Sequence, residues 1–201
     1  LYYSPGACSL SPHIALREAG LNFELVQVDL ASKKTASGQD YLEINPFGYV
    51  PCLQLDDGRM LAEGPAILQY VADQVPGKLQ APANGSFERY HLQQSLNFIS
   101  TELHKSFSPL FNPAASEDWK NAVRQTLNAR LGQVARQLER APYLLGDQLS
   151  VADIYLLVVL GWGAYVNLDL SPWPALQAFM GRVGGREAVQ AALRAEGLIK
   201  G

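Results

Sequence analysis

The sequence predicts a chain in two parts, a mixed α/β part followed by an all-α part. Three observations support this division. In roughly the first 80 residues, short segments with strand-like alternation are interleaved with helical segments. From Gly85 onward, apolar residues recur every three or four positions, which is the spacing of one helix face. Between the two parts, prolines and glycines cluster at Pro76, Gly77, Pro82 and Gly85, which favours a linker.

The first part has the predicted order βαβ followed by ββα. Its first helix ends at Gly20, a residue suited to the left-handed conformation found after helix C-termini. Asp56–Gly58 is a hairpin signal between the last two strands. Residues 31–40 are polar and predict a loop with irregular helix. The predicted strands cover residues 1–3, 23–29, 50–55 and 59–62, and the second helix covers residues 64–75.

The second part contains several helices. An apolar face over Leu92–Leu110 predicts the first, and Ser116–Leu138 predicts the second, with Ser116 as N-cap. Ser150 and Asp153 have the spacing of a capping box. The helix that they begin is apolar on nearly all sides, so it should form the core of this part. Two more helices are predicted, one with Pro174 at its first position and one over residues 187–196.

Composition and charge exclude several classes of protein. The 201 residues are 48% hydrophobic and 17% charged, so we expect an ordered globular protein. The net charge of −3 offers no basic surface, so we expect no nucleic-acid partner. Two cysteines are too few for a disulfide framework, which indicates a reducing compartment. The longest apolar run, Ile154–Val166, is too short to span a bilayer, and no signal peptide is recognised. We therefore expect a cytoplasmic protein with no membrane segment and no metal.

Cys8 points most directly to chemistry. It lies at a predicted strand-to-helix turn, where the N–H groups and the dipole of the helix favour a thiolate. We therefore expect its pKa to fall below the value of about 8.5 of a free thiol. Ser11 follows in a Cys-x-x-Ser pattern. The alternative is an inert small core residue, as we expect for Cys52, and from position alone the two interpretations of Cys8 stay equally open.

Four segments carry a resemblance to a known family: Tyr3–Leu10, Asn45–Pro46 with Gly48–Pro51, Glu63–Ile67, and Glu102–Lys105. Together they resemble the cytosolic glutathione S-transferases, most closely the bacterial beta class. The chain is also similar to the branch found in bacterial biphenyl and aromatic degradation. The resemblance implies a thioredoxin-like glutathione-binding domain over residues 1–78, a linker over 79–84, and a helical domain with the electrophile site over 85–201. It also implies glutathione as co-substrate and a homodimer.

The resemblance assigns the glutathione site mainly to the first domain. It implies a cis Val50–Pro51 bond, which exposes the Val50 backbone so that glutathione pairs with it as an extra strand. The helix N-terminus at Gly64 can hold the γ-glutamyl carboxylate, and Glu63 can accept from the ammonium group. Many relatives have serine in place of Gly64, so we expect weaker glutathione binding here. The alternative for Glu63 is a helix-capping acid.

Further contacts with glutathione follow from the same resemblance. Lys33 resembles a lysine that meets the glycine carboxylate. Asn97 and Glu102 resemble positions that reach glutathione from the other subunit. We interpret Tyr3 as a wall of the site. The implied glutathione-binding residues are Tyr3, Ala7, Lys33, Tyr49, Val50, Pro51, Glu63, Gly64, Asn97 and Glu102.

Cys8, His104 and Lys105 are the implied catalytic residues. His104 would stabilise a thiolate or donate a hydrogen bond, and Lys105 would add positive charge. Both belong to a polar stripe opposite the leucines, for which the alternative is a solvated helix face. Phe111 and Tyr165 are candidates for the electrophile site. The stripe consists of Asn97, Thr101, His104, Lys105 and Ser108.

Two chemistries fit these residues. In one, Cys8 stabilises the glutathione thiolate, which attacks an electrophile, with halogenated aromatic compounds as the expected class. In the other, Cys8 is itself a nucleophile that forms a mixed disulfide, in thiol exchange or reductive dehalogenation. The alternatives are a non-catalytic protein of the same fold that binds glutathione or hydrophobic ligands, and a glutathione-dependent isomerase.

Overall fold

The computed structural model describes residues 1–200, which form two compact units. The first unit comprises residues 1–81 and 186–200, and the second comprises residues 82–185. The last helix therefore belongs to the first unit, whereas the sequence placed it in a helical domain over residues 85–201. The physical reason is a pair of buried side chains far apart in sequence: Glu196 Oε1 lies 2.8 Å from His13 Nδ1.

A five-stranded sheet forms the centre of the first unit. Strand β1 pairs in parallel with β2, and the other neighbouring pairs are antiparallel, giving the order β3-β2-β1-β4-β5. The fifth strand is a correction, because β3 lies where a loop was predicted. A two-residue edge strand is too short to show alternation. The strands are β1 Tyr2–Tyr3, β2 Val26–Asp29, β3 Lys34–Thr35, β4 Cys52–Gln54 and β5 Met60–Ala62.

Two helices of this unit follow the prediction closely. Helix α1 covers Leu10–Ala19 and ends at Gly20, whose φ of 71° is left-handed. Helix α2 covers Gly64–Asp73. A 3₁₀ turn over Tyr41–Glu43 lies between them in the chain. On one side of the sheet, a small core is formed by Tyr2, Val28, Tyr41, Val50 and Cys52.

The second unit is helical. The first predicted helix is interrupted, because residues Ile99–His104 adopt a π-helix between α3 and α4. Apolar spacing does not distinguish a π segment from an α-helix, whereas the structure places two candidate site residues, Glu102 and His104, within it. The helices are α3 Phe87–Phe98, α4 Lys105–Phe111, α5 Glu117–Leu138, α6 Val151–Gly161 and α7 Pro174–Gly184, and α8 Glu187–Ala195 completes the first unit.

Helix α6 is the core of the second unit, as predicted. All of its residues from Val151 to Leu160 are buried. Its N-terminus is held by the carboxylate of Asp153, which accepts from the Ser150 N–H at 2.8 Å, the Ser150 hydroxyl at 2.6 Å and the Leu144 N–H at 2.8 Å. Burial nevertheless raises the pKa of Asp153. None of the helices within residues 1–200 is long and apolar enough to cross a membrane.

Candidate functional site

The loop between β1 and α1 carries Cys8. It turns at Gly6, whose φ of 71° lies in the left-handed region that glycine adopts without strain. The carbonyl of Cys8 accepts from the N–H and the hydroxyl of Ser11, at 3.1 and 2.7 Å. These bonds fix Cys8 one residue before Ser9, the N-cap of α1. The half-buried thiol therefore lies at the strand-to-helix turn that the sequence predicts.

The sulfur of Cys8 contacts the start of the segment that leads into β4. Its Sγ donates to the carbonyl oxygen of Val50 at 3.3 Å. A carbonyl acceptor stabilises the protonated thiol, whereas a helix N-terminus favours the thiolate. These two influences oppose each other in this conformation. The lowered pKa of Cys8 therefore stays a prediction.

The backbone beside Val50 is held from within the same unit. The Tyr41 hydroxyl and the Asn45 side-chain amide both donate to the carbonyl of Tyr49, at 2.7 and 2.8 Å. The Val50–Pro51 peptide bond is cis, as the resemblance implies. The aromatic side chain of Tyr49 is 69% exposed. The segment thus presents a fixed backbone edge and an exposed aromatic ring next to the Cys8 thiol.

Lys33 lies against this segment. Its ammonium group donates to the Gly48 carbonyl at 2.9 Å and lies 5.9 Å from the centroid of the Tyr49 ring. The Lys33 backbone has a φ of 56°, a left-handed conformation that is uncommon for a residue with a side chain. An ammonium group has three donors, so Lys33 keeps the capacity to bind a carboxylate as well.

Glu63 and Gly64 form the N-terminus of α2. Glu63 has a φ of 69° and a ψ of 116°, and its exposed side chain makes no capping bond. Such a conformation costs on the order of 1–3 kcal/mol in a non-glycine residue and is concentrated at functional sites. The structure therefore disfavours the interpretation of Glu63 as a capping acid. A Cβ at Gly64 would meet Pro51 Cγ at 3.9 Å, an ordinary contact, so this helix end lies next to the cis-proline.

His104 is the least exposed polar residue of the predicted stripe. Its Nδ1 lies 2.6 Å from the Tyr155 hydroxyl, and its ring centroid lies 4.7 Å from that of Trp162. Burial lowers the pKa of His104 to about 4, and the positive charge of Lys105 adds to this effect. The imidazole is therefore neutral near pH 7. A neutral imidazole can donate a hydrogen bond, the second of the two predicted roles, and the part that His104 plays stays a prediction.

The rest of the stripe is exposed. Asn97, Thr101, Lys105 and Ser108 face solvent, as the alternative of a solvated face predicts. The Thr101 hydroxyl donates to the Asn97 carbonyl and is thereby engaged within the helix. Glu102 is half-buried and pairs with Arg130 Nε at 2.7 Å. Arg130, a residue of α5, was not found from the sequence because its partner is 28 positions away.

Aromatic side chains of the second unit pack around one another near His104. The Phe107 and Phe111 rings stack at 6.3 Å, and Trp162 meets Phe107 edge-on at 5.7 Å. Phe111 is half-exposed, so this cluster presents an aromatic surface of the kind predicted for an electrophile site. Tyr165 is also exposed, on the 3₁₀ turn Trp162–Val166 that follows α6. Sequence reasoning missed Trp162, which resembled one more apolar residue of the buried helix.

Three predicted residues of the first unit belong to its interior. Tyr3 is buried and burial raises its pKa, which agrees with a wall rather than a proton donor. Cys52 is 1% exposed and burial raises the pKa of its thiol, so the prediction of a buried core residue is confirmed. Ala7 is partly buried and packs against the core on one side of the sheet.

A buried polar network behind the Cys8 loop was also missed. Glu196 Oε2 accepts from the Gly6 N–H at 3.0 Å, and its other oxygen contacts His13. Arg17 Nε in turn donates to His13 Nε2 at 2.9 Å. His13 and Glu196 are fully buried. A residue near the C-terminus therefore supports the loop that carries the thiol, and no local pattern could reveal this.

The structure thus brings the predicted residues together in two sets. In the first unit, the Cys8 sulfur contacts the Val50 carbonyl, and the neighbouring Pro51 lies next to Gly64. The Lys33 ammonium group lies over the ring of Tyr49, the residue before Val50. In the second unit, His104 lies among aromatic rings beside Lys105. Within residues 1–200, no cluster of three or more His, Cys, Asp or Glu side chains is arranged to hold a metal ion.

Comparison with known proteins identifies the family. Residues 6–74 match the glutathione S-transferase N-terminal domain, and residues 98–187 match the glutathione S-transferase C-terminal domain. The chain is 49% identical over 199 residues to glutathione S-transferase GstA of Escherichia coli O157:H7, covering 98% of each chain.

Solved structures agree with this match. A ternary complex of BphK, a bacterial transferase, superposes with a TM-score of 0.96 at 89% identity and 98% coverage of each chain. A sphingomonad transferase complexed with glutathione has a TM-score of 0.95 at 52% identity, and a beta-class transferase of Sphingomonas chungbukensis has 0.95 at 50%, each with 99% coverage of both chains. These proteins share a fold in which a thioredoxin-like unit is followed by a helical unit, and this chain has the same fold. The chain belongs to the glutathione S-transferase family, with beta-class enzymes as its structural neighbours.

Proposed function

We propose that this transferase conjugates glutathione to halogenated aromatic electrophiles, in the cytoplasm and as a homodimer. The observation that carries the glutathione part is the contact of the Cys8 sulfur with the Val50 carbonyl, at the cis-proline that also lies next to the N-terminus of α2. A backbone edge, a thiol and a helix N-terminus in contact can bind a peptide that carries its own thiol and carboxylates. Glutathione is such a peptide.

Each end of glutathione has a chemical partner in the proposed mode. Its cysteinyl backbone pairs with Val50, and its sulfur lies beside Cys8. The γ-glutamyl carboxylate binds the N-terminus of α2 at Gly64, where the helix dipole favours an anion, and Glu63 accepts from the ammonium group. Lys33 binds the glycine carboxylate beside Tyr49. Tyr3 and Ala7 form the wall behind the peptide.

The electrophile is proposed to bind against aromatic side chains, with Phe111 and Tyr165 as candidates. In the conjugation step, the glutathione thiolate adds to the carbon that carries the halogen, and the halide then leaves with the electron pair of its bond. His104 donates a hydrogen bond to the sulfur, and Lys105 supplies the positive charge that favours the thiolate. An aromatic chloride yields one thioether and one chloride ion per glutathione.

Cys8 offers a second, reductive course. Its thiolate attacks the sulfur of an aryl glutathione thioether, the aryl group leaves as a carbanion that takes up a proton, and a Cys8–glutathione disulfide remains. A second glutathione thiolate resolves that disulfide to oxidised glutathione and free Cys8. The balance is two glutathiones consumed per halide released and per arene formed. Without a halogenated substrate, the same attack by the Cys8 thiolate on a disulfide sulfur, followed by resolution with glutathione, gives thiol–disulfide exchange.

The test measures chloride release from chlorinated aromatic acids in parallel with conjugation of chlorodinitrobenzene, for the wild type and Cys8→Ala. Release from the acids supports the proposed substrate class, and turnover of chlorodinitrobenzene alone would remove it. Loss of thiol exchange in Cys8→Ala with conjugation largely retained would support the two courses. If Cys8→Ala retains every activity, the proposed role of Cys8 is wrong.

The proposed homodimer has its own test. Asn97 and Glu102 are proposed to reach the glutathione bound to the other subunit, with Arg130 holding the Glu102 carboxylate in place. Sedimentation equilibrium of the full chain gives the mass in solution, and a monomer would contradict the proposal. Glu102→Gln should weaken glutathione binding, whereas Glu117→Gln, an exposed acid at the start of α5, is the matched control.

A further inference from the structure

Tyr155 gives His104 a partner that the sequence does not suggest. It is a residue of the buried helix α6, and 2% of its surface is exposed. Its ring meets the His104 ring edge-on, with the centroids 5.9 Å apart. Trp162 packs edge-on against the same imidazole at 4.7 Å. The imidazole is therefore held in one orientation by aromatic rings on two sides.

The hydrogen bond between the two residues has a direction. The Tyr155 hydroxyl lies 2.6 Å from His104 Nδ1, below the range of about 2.7–3.2 Å that N–H donors reach with oxygen, whereas hydroxyl donors make shorter bonds. The chemistry agrees, because a phenol is a good donor and the unprotonated imidazole nitrogen is a better acceptor than a phenol oxygen. The Tyr155 hydroxyl therefore donates, and Nδ1 accepts.

An accepting Nδ1 determines where the ring proton lies. A neutral imidazole carries one N–H, so the proton of His104 is on Nε2. Burial supports the neutral form, because it lowers the pKa of His104 to about 4. In the opposite tautomer, Nε2 would present a lone pair, which repels a thiolate.

We propose that Tyr155 is a positioning residue that holds His104 in the tautomer with its proton on Nε2, so that His104 donates a hydrogen bond to the sulfur of glutathione. This inference rests on the proposed function, in which His104 contacts that sulfur. Helix α6 fixes the phenol, since three hydrogen bonds to Asp153, two residues before Tyr155, anchor the first turn of the helix. The proton stays on His104 throughout, and no bond of Tyr155 is broken.

The tautomer is measurable without any substrate. The chain has three histidines, His13, His91 and His104, so long-range nitrogen–proton correlation spectra of the ¹⁵N-labelled protein can resolve every imidazole, and His104→Gln assigns the third. At pH 7 we expect an unprotonated Nδ1 and a protonated Nε2 for His104. In Tyr155→Phe, the two shifts should move toward each other as the tautomers exchange. A proton on Nδ1 in the wild type would overturn the proposal.

The rate test uses a variant that has no tautomers. Tyr155→Phe should lower kcat for chlorodinitrobenzene about tenfold and leave KM for glutathione within about twofold, the effect of one misdirected hydrogen bond. His104→Gln keeps an N–H donor near the position of Nε2, so adding Tyr155→Phe to it should change kcat by less than about twofold. A tenfold loss in that background as well would mean that Tyr155 acts independently of His104.

A matched control separates positioning from folding. Tyr143 lies in the same unit, and its ring contacts the Arg182 guanidinium, at 5.5 Å, rather than His104. Tyr143→Phe should retain the wild-type kcat and both His104 nitrogen shifts. If Tyr155→Phe fails to fold, the wild-type spectrum still decides the tautomer. If His104→Ala keeps full activity, the proposed function loses its donor, while the spectrum reports on Tyr155 separately.

Discussion

Replacing Glu196, the residue that follows α8, by alanine should destabilise the first unit more than any exposed substitution on α8. The carboxylate is buried and accepts from two donors, the Gly6 N–H at 3.0 Å and His13 Nδ1 at 2.8 Å. Because Arg17 Nε donates to the other nitrogen of His13, the His13 proton lies on Nδ1 and points to Glu196. Alanine would leave both donors buried without an acceptor.

The expected loss follows from those two donors. Each unsatisfied buried donor costs about 1–3 kcal/mol, so two such donors together cost about 2–6 kcal/mol. We therefore expect the free energy of unfolding to fall by about 3–5 kcal/mol, the middle of that range. At about 2–4 °C per kcal/mol for a chain of this size, the Tm should fall by about 6–20 °C.

Urea unfolding measures this loss with two signals. All three tryptophans, Trp119, Trp162 and Trp173, belong to residues 82–185, so their fluorescence reports on the second unit, whereas far-ultraviolet circular dichroism reports on both units. Glu196→Ala should lower the dichroism midpoint more than the fluorescence midpoint. Glu187→Ala, an exposed acid in the first turn of α8, is the control and should cost about 0.3–1 kcal/mol. Equal midpoints for the two variants would refute the reasoning.

Three further predictions concern other parts of the molecule. Gly64→Ser should tighten glutathione binding about two- to tenfold, because the added Cβ meets only Pro51 Cγ at 3.9 Å and the hydroxyl adds one hydrogen bond. Calorimetry measures the affinity, and an unchanged affinity would contradict this prediction. Asp153→Ala should lower the free energy of unfolding, followed by tryptophan fluorescence in urea, by at least about 3 kcal/mol, because it removes a buried acceptor of three hydrogen bonds. A loss near about 1 kcal/mol would contradict this prediction. His104 has a pKa of about 4 in the folded chain and about 6.5 in the unfolded one, so only the unfolded chain gains a proton there between those values. Stability should then fall by roughly 3 kcal/mol from pH 6.5 to pH 4 beyond any loss in His104→Gln, and parallel pH profiles would contradict this.

Elements determined by close neighbours in sequence were predictable. Gly20 ends α1 because a left-handed residue is needed there, and its N–H reaches carbonyls three and four positions back. Ser116 caps α5 through the N–H of Trp119, three positions on. Asp153 and Ser150 form their capping contacts across the same interval. In each case, the stabilising contact spans one helical turn, so the local pattern contains all of its partners.

Features that depend on distant partners were not predictable from local pattern. The assignment of α8 to the first unit follows from the buried contact between Glu196 and His13. Strand β3 exists because Lys34 and Thr35 pair with β2, and two residues have no alternation to detect. The π segment that ends at His104 has the same apolar spacing as an ordinary helix. These features require contacts that a single sequence does not show.

The candidate site divides in the same way. Family resemblance supplied the roles of Val50 and His104, because those residues stand in recognisable segments, whereas Cys8 was already a candidate from its place at a strand-to-helix turn. Their chemical states depend on what surrounds them. On a solvated helix face His104 would titrate near its ordinary pKa of 6.5, whereas among Trp162 and Tyr155 it is neutral at pH 7. In the proposed mechanism, His104 therefore donates a hydrogen bond as a neutral imidazole, and the exposed Lys105 beside it supplies the positive charge, as the family resemblance implies.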